Sequence, residues 1–413
     1  MNNDTNAAVP KVGVRWQPFD EQLTIRSTWG EGFLEPSMVQ LYGPERFLLG
    51  PVHFVGFGPP GTAGAPPAAI QNVADPETTI EQLPNKDLAP EHDRTWTGGI
   101  VYTPKWMSNL VPNSTLTLTV DFWDVERTGV AMFLAPSAIV NGYNAGVFPA
   151  VVSPAVPTLT TGPAVLFDPA GQFAGVTSPY LNGGRENARG VDLGLQYQIE
   201  TGFGIFTWLT RVTYLDQFVF QFPGDPHGAW QVAGRSNADW FAGSFFGDVT
   251  TGDAWYKWKG LTNLDWTWHN IDFNVTVHLV DGFWEQIKAK QFDGVWKQHW
   301  VHPTWFTDAQ LSYSLIFTPP VEAAPVPGYS KGGKEVITSK EGKEKEVPPA
   351  AVYSMPCWQT ILNNSTITVG VNNIFGEDPP KSIGFEFGNS TGYPGSSYDN
   401  LGRFLYARLI KKF

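Results

Sequence analysis

His299 and His302 are the first residues that could hold a metal ion. In a strand, positions i and i+3 point to opposite faces, so the two imidazoles cannot share one ion. Asp121 with Asp124 and Glu126, and Asp272 with His278, offer carboxylates and an imidazole at spacings that acid–base chemistry could use. Each set lies in a segment that alternates apolar and polar residues, so all five are read as polar groups facing channel water. The chain has no G-x-S-x-G elbow, no Gly-rich phosphate loop and no H-E-x-x-H. Its lone Cys357 excludes a disulfide framework and a cysteine-based zinc site. No catalytic, cofactor-binding or metal-ligating residue is assigned, no cofactor is implied, and no enzyme is expected.

The segments that would position these residues repeat with a period of two. Tyr256, Trp258, Gly260, Thr262, Leu264, Trp266 and Trp268 fall on one face, with Lys257, Lys259, Asn263, Asp265 and Thr267 among those on the other. After His269–Asn270 the phase inverts: Ile271, Phe273, Val275, Val277 and Leu279 are apolar, and Asp272, Asn274, Thr276 and His278 are polar. A two-residue turn there pairs Trp268 with Ile271 and keeps the apolar sets on one face. The same phase match holds for Val12–Trp16 and Leu23–Trp29 about a turn at Phe19–Asp20. It holds again for Val191–Ile199 and Phe206–Tyr214 about Gly202–Phe203. Further alternating segments are 96–103, 115–125, 305–317, 366–371 and 401–413, so the expectation is eleven antiparallel strands.

Several features choose a transmembrane β-barrel over a soluble sandwich. The strands are long, and short turns alternate with long loops at 31–92, 129–185, 223–253 and 376–400. Trp258 and Trp268 stand ten residues apart, roughly 33 Å along the strand, or about 25 Å along the membrane normal at ~40° tilt. That matches a lipid-facing band between aromatic girdles, with Trp258, Trp266 and Trp268 as girdle residues. No run approaches the ~18 apolar residues of a membrane helix. With 27 Lys+Arg against 39 Asp+Glu, the net charge of −12 leaves no basic field for a nucleic acid partner.

The quoted segments resemble the TonB-dependent outer-membrane receptors, and specifically the C-terminal half of their barrel. The resemblance rests on VGVRWQPFDEQLTIRSTWGEGFLEPSMVQLYG (12–43), PNKDLAPEHDRTWTGGIVYTPKW (84–106) and STLTLTVDFWDVERTGV (114–130). ARGVDLGLQYQIETGFG (188–204), VNNIFGEDPP (371–380) and YDNLGRFLYARLIKKF (398–413) complete it. It implies the last half of a 22-stranded barrel in the outer membrane of a Gram-negative-type bacterium, with short periplasmic turns and long extracellular loops. The whole chain, 1–413, would be this barrel portion, with 318–362 a periplasmic insertion whose KGGKEVITSKEGKEKE stretch (331–346) is solvated.

Leu405, Ala407, Leu409 and Phe413 share one face of the last strand, as the barrel-assembly machinery requires of a C-terminal signal, while Lys411 interrupts that face. The plug domain and the TonB contact of the family are absent, so coupling to the TonB complex would run through a missing N-terminal region. An odd strand number leaves two edges unpaired in lipid. The expectation is therefore a part of a longer transporter for an extracellular ligand. The alternative is a passive porin- or adhesin-like barrel closed by oligomerisation. The loop stretches 54–70 and 133–167 are apolar and turn-rich with few charges, which points to a weakly charged ligand such as a glycan or peptide.

Overall fold

The computed structural model describes residues 9–51, 77–134, 139–140, 142–143, 146–152, 162–169, 173–221, 229–236, 254–287, 297–317, 336–338, 344–346, 356–382, 393, 397–398 and 401–412. Phe413, the 54–70 stretch and most of 331–346 lie outside the described residues.

Eleven strands form one antiparallel wall in chain order. They are β1 (Lys11–Phe19), β2 (Leu23–Leu34), β3 (Glu91–Tyr102), β4 (Ser114–Phe133), β5 (Phe173–Thr201) and β6 (Gly204–Gln221), followed by β7 (Trp258–Trp268), β8 (Ile271–Val280), β9 (Thr304–Leu315), β10 (Ser365–Asn372) and β11 (Phe404–Lys411). Each strand pairs with the one before and the one after it. Among the described residues nothing pairs the outer edge of β1 or of β11.

Two hairpins close as their alternation dictates. Trp268 pairs with Ile271 across His269–Asn270, and Thr201 pairs with Gly204 across Gly202–Phe203. The first hairpin differs from expectation. Its turn is Asp20–Gln22 rather than Phe19–Asp20, and the register slips between Trp16 and Phe19. A bulge absorbs one residue there, so Trp16 still meets Ile25 and the face is unchanged. The chain reverses at this rim through residues that tolerate the left-handed region: Asp20, Asn113, His269 and Asn364 all have φ between 47° and 59°. Two of the connections carry short helices, Lys105–Leu110 and Cys357–Leu362.

The opposite rim is built up by long connections. β5 has 29 residues and β4 has 20, roughly 95 Å and 65 Å at about 3.3 Å per residue, far more than a membrane needs. The upper end of β5, Phe173–Pro179, runs parallel to the strand Glu77–Leu83 and antiparallel to the strand Ala164–Phe167. These enclose an apolar core of Ile80, Leu134, Ile139, Val140, Val165, Phe167, Phe173 and Val176. A second small sheet joins Arg235–Ser236, Ala254–Trp255, Phe283–Ile287 and Lys297–Val301, packed over Tyr256, Val280, Phe283, Val301 and Tyr398. Within the 318–362 connection the described parts are a two-strand ladder, Val336–Thr338 with Glu344–Glu346, and the helix Cys357–Leu362.

The wall itself has no interior. One face carries exposed apolar residues, such as Leu264, Ile100, Leu405 and Leu409, and the other carries hydrogen-bonded polar rows. None of the described helices is long and apolar enough to cross a membrane, so any crossing falls to the strands.

Candidate ligand site in the lumen wall

Register fixes height, and so shows which polar residues stand side by side. One row on the polar face runs Arg15, Arg26, Gly99, Asp121, Asp192, Thr213 and Lys259 on successive strands β1 to β7. The next row includes Thr24, Val101, Thr119, Gly194, Arg211, Leu261, His278 and Phe306. Arg211 and Lys259 are therefore diagonal neighbours on β6 and β7. Among the described residues neither makes an ion pair within 4 Å. Asp192 is held instead by the Thr213 hydroxyl, which donates to it at 2.7 Å.

His278 does not pair with Asp272, six residues away on the same strand. It meets Asp308 of β9 at 3.1 Å through Nε2. The other oxygen of Asp308 accepts the backbone N–H of Asn373 at 2.8 Å, at the start of the connection to β11. Asn373 and Glu377 then exchange two hydrogen bonds, Glu377 N–H to Asn373 Oδ1 at 2.8 Å and Asn373 Nδ2 to the Glu377 carbonyl at 2.7 Å. The chain re-enters through Leu401–Gly402, with Gly402 at φ +61°, and delivers Phe404 to the polar face. Between wall and re-entering chain lies a cavity of about 470 Å³, lined by Arg211, Lys259, His278, Phe306, Asp308 and Phe404 among others. Two cations beside two aromatic rings suit a ligand that pairs a negative charge with an apolar face.

His278 has an orienting carboxylate in Asp308, and among the described residues no hydroxyl or thiol bonds its ring. Among the described residues no group of three or more His, Cys, Asp or Glu could hold a metal ion. His299 is committed to Glu285, which lies fully buried 2.6 Å from Nδ1, and His302 lies beyond the end of that strand.

The residues expected to face the lumen divide between the two faces. Asp121 is there, bonded to Arg26 by both carboxylate oxygens. Asp124 and Glu126 are not. Their parity is that of Val120 and Phe122 on the apolar face, and they pair with Asn187 and Arg185 above the last aromatic residues. The expectation assigned them by type, whereas the side of a strand depends on parity alone. The outer face of β4 thus runs apolar from Leu116 to Phe122 and turns acidic at Asp124. Trp96, 5.0 Å from Phe122 between ring centroids, marks that boundary.

Trp258 lies in the same row as Phe122 and Tyr214, against which it packs at 4.5 Å. Trp266 and Trp268 sit at the short-turn rim, stacked 6.1 Å apart, with Phe206 beside Trp266 at 6.2 Å. Leu405, Ala407 and Leu409 share the outward face of β11, opposite Val371, Val369 and Ile367 of β10. Arg211, Lys259, Phe306, Asp308 and Phe404 were not singled out from the sequence. Their parity was legible, but their relative heights are set by the register across six strands, β6 to β11.

The TonB dependent receptor-like, beta-barrel family model matches residues 1–322. Among solved structures, a variant of the ferric enterobactin receptor PfeA from Pseudomonas aeruginosa is similar over 97% of this chain and 39% of its own, with 12% identity and a TM-score of 0.50. The siderophore receptor PirA from Acinetobacter baumannii is similar over 97% of this chain and 40% of its own, with 12% identity and a TM-score of 0.48. No curated protein matches the sequence. At 12% identity the likeness to PfeA is one of fold, and this chain spans 39% of that protein's length.

Proposed function

The chain belongs to the TonB-dependent receptor β-barrel family, and from that premise we propose that it forms part of the wall of an outer-membrane transporter taking up an extracellular ligand. The family and its fold are those of receptors and transporters rather than enzymes. The observation that carries the reading is the wall itself: eleven antiparallel strands in chain order, apolar and exposed outside, polar and hydrogen-bonded inside, with the outer edges of β1 and β11 unpaired among the described residues. An open strand edge in lipid costs several kcal/mol for each unsatisfied backbone group. Further strands therefore complete the barrel, and a plug carried with them provides the contact with TonB. The long-loop rim lies outside the cell, the short-turn rim in the periplasm.

In this reading the aromatic residues Trp258, Trp266 and Trp268 hold the two lipid interfaces, and Leu405, Ala407 and Leu409 present the face read by the barrel-assembly machinery. The cavity beside Arg211, Lys259 and the His278–Asp308 pair contacts the ligand on its way inward. Its two cations favour an anion-bearing ligand over the weakly charged one suggested by loop composition.

The test is to isolate, from outer membranes and under non-denaturing conditions, the particle that contains Phe404–Lys411, and to measure its mass and polypeptide content. The reading requires about eleven additional strands, in the same polypeptide or in a copurifying chain, since plugged barrels of this family type have about 22. A closed particle containing only one 45.5 kDa chain, with β1 paired to β11, would overturn it.

A further inference from the structure

At the short-turn rim, large apolar side chains stand exposed on several connections. Phe19 precedes one tight turn and Phe203 lies in another, Trp106 and Leu110 lie on the helix Lys105–Leu110, and Trp358 and Ile361 lie on the helix Cys357–Leu362. Leu110, at 72% exposure, and Ile361, at 63%, have little protein against them. Six-residue helices of this kind gain little from their own hydrogen bonds and need a surface to lie on.

Each helix touches the foot of the wall through its tryptophan. Trp106 donates its indole N–H to the Tyr102 hydroxyl at 3.2 Å, and Tyr102 pairs with Leu23 and Leu118 on the outward, apolar face of the wall. Trp358 packs edge-on against Phe317 at 5.5 Å, two residues beyond the end of β9. Each tryptophan thus meets the aromatic residue at the foot of the strand that precedes its helix. Cationic groups accompany them. Lys411 faces outward opposite Ser365, and its ammonium donates to the Asn363 carbonyl at the end of the second helix. Lys412 donates its backbone N–H to the Asn364 carbonyl at 3.1 Å, and a cavity of about 510 Å³ lies between these lysines and Thr360, Ile361 and Asn363. Lys105 begins the first helix beside Asp20.

We propose that the helices Lys105–Leu110 and Cys357–Leu362 are interfacial anchors. They lay Trp106, Leu110, Trp358 and Ile361 into the headgroup–acyl boundary of the inner leaflet of the outer membrane, with Lys411 and Lys412 toward the lipid phosphates. The partner is a phospholipid surface. Tryptophan and lysine are the side chains that favour this boundary, one through its amphipathic ring and the other by reaching for headgroups. The anchor extends the lipid-facing band past the last wall residues and accounts for a lysine on the outward face of β11. It rests on the membrane reading given above.

The test uses the native membrane protein containing this chain, reconstituted in phosphatidylethanolamine–phosphatidylglycerol liposomes. In a Cys357→Ser background, a bimane fluorophore is placed at Leu110→Cys, at Ile361→Cys or, on the outward face of β7, at Leu264→Cys. Quenching by a mixture of lipids with nitroxides near the headgroup and deep in the acyl chain is compared with quenching by aqueous iodide. Lipid quenching at 110 and 361 within about twofold of that at 264, with weak iodide quenching, is the expected result. Iodide quenching without lipid quenching at 110 and 361, while 264 responds to lipid, would overturn the anchor and leave the membrane reading standing. Absence of lipid quenching at 264 as well would overturn both.

Discussion

Arg26 on β2 and Asp121 on β4 are two strands apart, yet the guanidinium Nη2 lies 2.8 Å from both carboxylate oxygens. The residue between them in register is Gly99 of β3, and a methyl group there would lie 1.8 Å from an Asp121 oxygen. The missing side chain lets the pair close. The same device recurs at the other end of the wall, where Tyr406 of β11 crosses Gly370 of β10 to donate to Gln310 of β9 at 3.2 Å. At these two positions the glycine opens a cross-wall contact.

Substituting Gly99 by Ala forces Asp121 aside and costs about 1–3 kcal/mol as an overpacked site. The neighbouring Gly98 points outward with its nearest atom at 3.7 Å, and Gly98→Ala stays within about 0.5 kcal/mol. The thermal midpoint of barrel unfolding, followed by heat-modifiable gel mobility, separates the two. Arg26→Gln loses about 1 kcal/mol or less, because the pair is largely open to lumen water.

Leu261 and Leu264 are the same residue type, three apart on β7, on opposite faces of the wall. Leu264→Arg places a guanidinium in lipid and costs about 2–4 kcal/mol near the midplane. Leu261→Arg places it in the lumen beside His278 and is tolerated to within about 1 kcal/mol. Denaturant unfolding in lipid bilayers measures both, and equal costs would contradict the face assignment.

Glu285 ties the second loop sheet to the chain that follows β10: it accepts from the Ser382 hydroxyl and meets His299 through its other oxygen. Glu285→Ala leaves a buried hydroxyl without its acceptor, while half-exposed His299 can turn to water. The loss is then about 1–3 kcal/mol, felt locally. Backbone amides of 376–382 should exchange hydrogen faster, with those of β7 and β8 unchanged.

Arg211→Gln combined with Lys259→Gln removes both cations of the lumen cavity. Binding of benzoate to the native detergent-solubilised protein, followed by calorimetry, weakens by about tenfold, since one charge-assisted contact of roughly 1.4 kcal/mol is lost. Benzamide, which has the ring without the charge, binds the two proteins alike.

The wall was legible in the sequence because alternation and turn length together determine a hairpin. Trp268 with Ile271 and Ile199 with Phe206 needed no more than that. The upper part of β5 was not. From Phe173 to Pro179 almost every residue is buried, because the loop core covers both faces, and a strand covered on both faces does not alternate. The lumen site was legible only by halves. Parity puts His278 on the polar face, but its partner Asp308 lies thirty residues further on, and only the register between β8 and β9 brings them together. The turn at Asp20–Gln22 was displaced by one residue because a bulge leaves the apolar phase intact.

The central claim is that the hairpin Trp258–Val280 crosses a membrane with one face in lipid and the other in a water-filled lumen. Single cysteines at 259, 261, 263 and 265, and at 260, 262, 264 and 266, each in the Cys357→Ser background, would be exposed in intact outer membranes to a small membrane-impermeant maleimide. The account predicts labelling at the odd positions and protection at the even ones until detergent is added. Labelling without regard to parity, or labelling of the even set in preference to the odd, would contradict it.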